Sequence, residues 1–262
     1  MTRYLRLYAY FLQFSFSRAM EFRLDFFFRV FMDALFYAVQ IGFFSVLYRH
    51  TSLLGGWSEE RALVFVTAYL FIDSAHMTIF INNVWPLPRM INRGELDYYL
   101  TRPVSSLFFL SFRDFAANSF LNLLLAIGLV TWAIGRLAEP PTLGRIFLFA
   151  TLLAAGLLLY YAIQMLFFIA AFWTQSSEGF VEFWRAAEKY SERPHTIYPD
   201  WLQRIFLTVL PLALVASEPA RILFEGASGR ELLQFGGVFV GMFALLGWLW
   251  GRGLRAYGSA SS

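Results

Sequence analysis

Along this chain, apolar runs long enough to cross a bilayer alternate with short strips in which charged and apolar positions interleave at helical spacing. A crossing helix needs about 20 mostly apolar residues. Six stretches meet that requirement: 30–48, 62–84, 115–134, 146–173, 205–224 and 232–250. The third, fourth and sixth hold no charge. The first is interrupted only by Asp33, and the second holds Asp73 and His76. The fifth contains Pro211, Glu218 and Pro219, and its unbroken apolar part stops near Ala216. The pattern predicts an all-α integral membrane protein with six transmembrane helices, folded as a single transmembrane domain over 1–262.

Three further segments keep helical spacing while mixing charge into it. Residues 4–25, "YLRLYAYFLQFSFSRAMEFRLD", read as an N-terminal helix lying in the membrane interface with its apolar face in the acyl boundary. Residues 178–192, "EGFVEFWRAAEKYSE", place Phe180, Phe183, Trp184 and Ala187 on one side and most charges on the other. The third is "NRGELDYYLTRPVSS", 92–106, between the second and third runs. Leu87, Met90 and Ile91 keep the i, i+3, i+4 spacing with Arg89 and Arg93 turned away, and Gly94 is placed to end that turn in a left-handed conformation. Leu96, Tyr99 and Leu100 resume the spacing with Glu95, Asp97 and Arg102 on the polar side, until Pro103 stops it. The product is two amphipathic turns hinged at Gly94, able to rest one face on the bundle and offer the other to a soluble partner. A solvated loop that merely joins two helices has the same spacing.

Composition agrees: 58% of the 262 residues are hydrophobic and 15% charged, against roughly half and a quarter in a soluble domain. The absence of cysteine excludes disulfides, Cys-ligated zinc and Cys nucleophiles. The net charge of +3 points to no nucleic-acid partner. Its distribution sets an orientation. With six crossings, fifteen Lys/Arg fall on the side of the termini and six on the other, and the Lys/Arg-rich side is cytoplasmic. Both termini and the hinged strip are therefore expected in the cytoplasm. Arg3, Arg6, Arg18, Arg23 and Arg29 punctuate the first segment, so no cleaved signal is expected there.

Polar groups within apolar runs are costly in lipid and face protein or water. Asp33, Asp73, His76 and Gln164 are the candidates for a substrate path. Asp73 and His76, three residues apart, share a helical face and could satisfy one another, so a structural contact is the alternative. Glu218 and Arg221 read as an i, i+3 pair near the outer surface, and His195 as a solvated loop residue. Gly237 and Gly241 form a small-x-x-x-small pair. No H-E-x-x-H, no G-x-S-x-G and no phosphate-binding G-x-x-x-x-G-K-[ST] is present, so no ATP hydrolysis is expected from this chain alone.

The segment "RGELDYYLTRPVSSLFFLSFRD" closely resembles the stretch after the second span of ABC-2-type permeases, in the branch that includes viologen-exporter-like permeases. "IYPDWLQRIFLTVLPLALVASEPARILFEG" resembles that branch's Pro-punctuated fifth span. "YLRLYAYFLQFSFSRAMEFRLDFFFRV" is similar to its opening helix and first-span entry. Glu218 and Arg221 around Pro219 depart from the mostly apolar residues that branch would place there. The resemblance implies a permease subunit of an ABC exporter in a bacterial cytoplasmic membrane. It implies a cytoplasmic ATPase dimer as partner, with ATP and Mg held on those subunits and no cofactor in this chain. It also implies a second six-span permease, preferably a related but distinct chain. On that reading the strip is the coupling helix, with Arg89, Arg93, Gly94, Glu95, Asp97, Tyr99 and Arg102 as its coupling residues. Three other classes compete: an ion-coupled secondary transporter, which would use Asp73 and His76 but should carry internal repeats; a membrane-embedded lipid-modifying enzyme; and an envelope scaffold.

Overall fold

The computed structural model describes residues 2–21, 23–174 and 178–257. In chain order the helices are α1 (Thr2–Glu21), α2 (Arg23–Tyr48), α3 (Glu59–Ile79), α4 (Ile81–Val84), α5 (Leu87–Asn92), α6 (Asp97–Leu100), α7 (Ser106–Phe112), α8 (Ala117–Gly135), α9 (Leu143–Phe168), α10 (Glu178–Ser191), α11 (Asp200–Thr208), α12 (Ser217–Glu225) and α13 (Gly229–Ala256). Short 3-10 turns occupy Ile169–Phe172, His195–Ile197 and Leu212–Leu214. Among the described residues the fold is all-helical, with one isolated Leu54–Trp57 bridge in the loop after α2. That loop turns on Gly55 and Gly56, at φ +56° and +82°, which a tight hairpin demands and only glycine adopts cheaply.

Five helical segments are long and apolar enough to cross a membrane: Phe26–Tyr48, Glu59–Ile79, Ala117–Gly135, Leu143–Phe172 and Gly229–Ala256. They coincide with five of the six predicted runs. Their burial differs in a way that fixes the architecture. In α3, 72% of the most apolar window lies inside the protein, against 11% in α2 and 17% in α13. A helix that is apolar on every side belongs in an interior, and α3 is the hub on which α2, α8, α9 and α12 pack. Phe65, Leu70 and Ile72 on α3 are fully enclosed. Outward faces of α2 carry Phe27, Phe28, Phe31 and Val39 exposed, and those of α13 carry Leu233 and Val240. Such faces suit lipid or a neighbouring chain.

The predicted fifth run is not one helix. Over 205–224 the chain leaves α11 at Thr208, turns at Pro211 into the 3-10 segment, and re-forms as α12 at Ser217. Proline denies the interior of a helix its donor and its fit to the preceding turn, and here two prolines, Pro211 and Pro219, sit eight residues apart. The freed backbone is hidden from the surroundings: Leu212 through Ala216 are all buried. α12 climbs to the end of the bundle that holds the Gly55–Gly56 loop. There Arg145 donates to the Phe224 carbonyl at 2.9 Å, and Arg61 reaches Glu225. The pieces α11 and α12 thus form a hairpin confined to that end.

The segment 178–192, expected as an amphipathic helix outside the spans, runs back along α9. Phe183 and Trp184 stack against Phe167, Trp184 against Tyr160, and Tyr160 donates to Glu188. It continues until Thr196 and Ile197 touch Gly55 in the opposite loop. α10 with its following turn therefore runs from the strip's end of the bundle to the Gly55–Gly56 loop, although it is not among the five helices long and apolar enough to cross a membrane. His195, expected in a solvated loop, is buried; its ring meets Ser217 Oγ at 2.7 Å and stands 3.7 Å from Glu218. The Glu218–Arg221 pair is present, and Arg221 also binds Glu225 and Glu231. This route moves Arg193 and Arg204 to the far end of the bundle and narrows the charge asymmetry that sets orientation.

Two glycines mark where helices come closest. A Cβ on Gly156 of α9 would stand 2.2 Å from the Val215 carbonyl oxygen, and one on Gly253 of α13 2.2 Å from the Phe172 ring. Gly237 and Gly241 meet nothing within 4 Å in this chain, so the small-residue pair serves no internal contact. Gly156→Ala should push α12 and its hairpin off α9 and lower the thermal unfolding midpoint in detergent, with a loss of about 1–3 kcal/mol for overpacking. Gly128→Ala in α8, where the added methyl meets nothing, should leave the midpoint unchanged or slightly raised. Equal behaviour of the two variants would contradict the close approach.

Candidate functional site

The hinged strip has the expected geometry. α5 starts just before Pro88, a residue tolerated in the first turn because its missing N–H has no helical partner there. Leu87, Met90 and Ile91 are buried, and Arg89 and Arg93 are exposed. At its end the Gly94 N–H bonds to the Ile91 carbonyl at 3.2 Å and the Glu95 N–H to the Met90 carbonyl at 2.9 Å. Closing the turn that way needs a left-handed residue between, and Gly94 has φ +71°. Leu96 then plugs fully into the bundle, and α6 follows. Glu95, Tyr98 and Arg102 face outward, while Asp97 and Tyr99 are half-buried. Arg102 lies 4.5 Å from the Tyr98 ring centroid, and Arg113 4.3 Å from that of Tyr99. The Arg93–Glu95 ion pair, 3.9 Å apart and open to solvent on both sides, contributes little stability.

Beneath this charged face the strip is tied to the ends of several helices. The Leu96 N–H donates to the Tyr257 hydroxyl at 3.0 Å, just past the end of α13. Burial raises the pKa of that hydroxyl above the ordinary phenol value, so it stays neutral. Trp85 packs on Phe168 at the end of α9, and Phe172 packs on Trp250 and Tyr257. On the downstream side, α1 runs alongside α7, with Tyr4 on Phe108, Tyr8 on Phe112 and Phe11 on Phe109 in edge contacts. Asp114, between α7 and α8, takes two bonds from Arg18 of α1, at 2.6 and 2.8 Å. Its backbone N–H and carbonyl are both held by the buried Asn83 side chain of α4, at 2.9 and 2.7 Å. Sequence reasoning missed this clamp, because asparagine and aspartate 31 positions apart carry no periodic signal.

The second feature is a polar seam inside the bundle. Asp73, His76 and Gln164, predicted from sequence, are brought to one region where α3, α9 and α10 meet. The ring of His76 rests edge-on against Tyr160 with centroids 4.8 Å apart, and Gln164 lies one turn along α9 from Tyr160. Tyr160 donates to Glu188. Asp73 is within electrostatic reach of Glu188, Glu192 and Asp33. Asp33 itself accepts a hydrogen bond from Asn122 of α8 at 2.8 Å, joining α2 to α8. The expectation that Asp73 and His76 satisfy one another is not met: no hydrogen bond or ion pair joins them. Asp73 looks toward the half-exposed carboxylates of α10, and His76 lies buried against Tyr160. Around Tyr160 the enclosed His76 Nε2, Gln164 Oε1 and Trp184 Nε1 form no hydrogen bond of full geometry, although His76 and Gln164 lie close enough to interact with each other. Buried polar groups are normally satisfied, so a cluster of exceptions calls for an explanation. Glu188, Glu192 and Trp184 were absent from the predicted site because the sequence pattern set α10 outside the spans, with its charges on a polar face.

Set beside known proteins, residues 34–261 match the family model described as "ABC-2 family transporter protein". The match covers most of the chain, which therefore belongs to that family and is a multi-pass membrane permease component of an ABC transporter. No curated protein and no solved structure matches it.

The tie between Leu96 and α13 is directly testable. In Tyr257→Phe the Leu96 amide loses its acceptor, so hydrogen exchange of the peptide spanning Leu96 should quicken by about an order of magnitude while amides of the enclosed helix α3 keep their protection. Unchanged exchange at Leu96 would mean that the strip is held by its apolar face alone.

Proposed function

We propose that this chain is the membrane-spanning half of an exporter, working with a cytoplasmic ATPase dimer and a second permease chain in a bacterial cytoplasmic membrane. Both termini and the strip lie in the cytoplasm on this reading, with α10 completing six passages. ATP and Mg act on the partner ATPase, and this chain converts the ATPase's closure into helix movement. The observation that carries the reading is the construction of the strip. Its charged face (Arg89, Arg93, Glu95, Arg102) is open, while its apolar face is fastened to the ends of α9 and α13 and, through α7 and Asp114, to α1 and α4. A push on such an element moves several long helices together.

The seam supports a path for the transported molecule. A central carboxylate costs about 2.5–3.5 kcal/mol to insert, and this region gathers Asp73, Glu188 and Glu192 beside the buried His76, Gln164 and Trp184. Water or a cationic group alongside Asp73 would offset that cost. The partly open position of Asp33, with Asp73 behind it, suits a path shared with the second permease. Resemblance to the viologen-exporter-like branch favours an amphipathic cation as cargo and two distinct permease chains.

Driving such a mechanism requires that the strip contact the ATPase differently in its nucleotide-free and nucleotide-bound forms, because a ligand shifts an equilibrium only through differential interaction. Reversal of both charges, Glu95→Arg with Asp97→Arg, should leave membrane insertion intact, abolish stimulation of the partner ATPase, and reduce transport at least tenfold. Transport at the original rate in that double variant would sink the strip as a docking element.

A further inference from the structure

At the strip's exit a second feature is built from two elements far apart in sequence. The first turns of α1 and the link after α6 enclose an open groove of about 470 Å³, lined by Arg6, Leu7, Tyr10, Arg102, Val104 and Phe109 among others. Tyr4 holds the two elements together, its ring on Phe108 and its hydroxyl accepting from the Ser105 N–H at 3.4 Å. Leu7, Val104 and Phe109 are half-buried and form an apolar floor. Arg6 and Arg102 stand exposed at its edge.

The charge here is uncompensated. Arg18, Arg93, Arg185 and Arg221 each have a carboxylate partner. Among the described residues, neither Arg6 nor Arg102 has one, and the Arg102 guanidinium rests over the Tyr98 ring. Two guanidiniums share one groove with no anion of the protein's own. Away from them the apolar track continues along α1 through Tyr10, 61% exposed, and Phe14, 66% exposed and one turn further on. Arg6 to Phe14 is about 12 Å of helix at 1.5 Å per residue. A cationic end followed by an apolar track on an interfacial helix matches the two ends of one molecule, an anionic headgroup and an acyl chain.

We propose that this groove is a binding site for an anionic phospholipid. Arg6 and Arg102 hold the phosphate, for which the planar guanidinium is suited, and the acyl chain lies over Leu7, Tyr10 and Phe14. The site goes beyond the permease reading, because it assigns a lipid to the groove between α1 and the strip, sharing only Arg102 with the strip's charged face. It also bears on that reading, since a lipid bridging Arg6 and Arg102 fastens α1 to the strip and makes the strip's freedom depend on membrane composition.

The test uses the full chain alone, without any ATPase, so that its outcome is independent of coupling. Native mass spectrometry of the protein in detergent doped equally with phosphatidylglycerol and phosphatidylcholine should show at least a tenfold preference for retained phosphatidylglycerol. Arg6→Ala with Arg102→Ala should remove the preference, Arg6→Lys with Arg102→Lys should keep part of it, and Arg136→Ala with Arg230→Ala at the far end should keep it whole. Should the double alanine variant prove unstable, Arg6→Gln and Arg102→Gln singly should each reduce the preference about threefold. Equal retention of the two lipids by the unaltered protein overturns the proposal, as does a preference untouched by any change at Arg6 or Arg102. Displacement of the lipid by inorganic phosphate at equal concentration also overturns it, since the apolar track would then contribute nothing.

Discussion

A backbone carbonyl or N–H that enters an apolar layer must find its partner inside the protein, because lipid offers none. That constraint decides where this chain is free to be irregular. Five long helices satisfy their own backbone and may face outward, as α2 and α13 do. The stretch from Pro211 to Ala216 cannot, with its proline and 3-10 turn, and it is buried against α9, where Gly156 lets the Val215 carbonyl approach to the point that no side chain fits. The hinge at Gly94 breaks a helix too, but at an end of the bundle, where its charged face reaches the surface. The one irregularity is enclosed and the other is displayed.

The same constraint accounts for what could be read from sequence and what could not. Uniformly apolar runs announce themselves, and five of the six expected crossings are long helices. The turn at Gly94 was legible because a glycine between two i, i+3, i+4 patterns has a single economical conformation, the observed φ of +71°. The course of α10 was not legible for a physical reason. Glu188 and Glu192 turn toward Tyr160 and Asp73, while Glu182, Arg185 and Lys189 stay exposed, so periodicity alone groups all of them with solvent. The apolar run after it, 205–224, looked like a span but is a hairpin, because burial among other helices makes a segment apolar just as lipid does. Of the seam, Asp73, His76, Gln164 and Asp33 were visible as polar interruptions of apolar runs. Glu188 and Trp184 were not, since they became neighbours only when α10 turned back along α9. The clamp of Asn83 and Arg18 on Asp114 depends on tertiary contact and leaves no local trace.

In the folded chain, strip and seam are not separate devices. α9 connects them: one of its ends packs under Trp85 and Phe172, and its middle carries Tyr160 and Gln164. α10 begins beside the strip, where Arg185 lies over the Trp85 ring, and Glu188 in the seam follows within one turn of Arg185. Displacement of the strip would therefore move both walls of the polar region without any part of the chain unfolding. Membership of the ABC-2 family supplies the reason for such a linkage, since the energy source of these transporters resides outside the permease.

The claim on which the account rests is that this polypeptide is moved from outside and has no motor of its own. Solute accumulation in reconstituted vesicles tests it most directly, comparing this chain with its permease and ATPase partners against this chain alone under an imposed proton gradient. The account predicts uphill accumulation only in the complete assembly, dependent on ATP and indifferent to collapse of the gradient. Uphill accumulation by the lone chain, driven by protons with no nucleotide present, would contradict it.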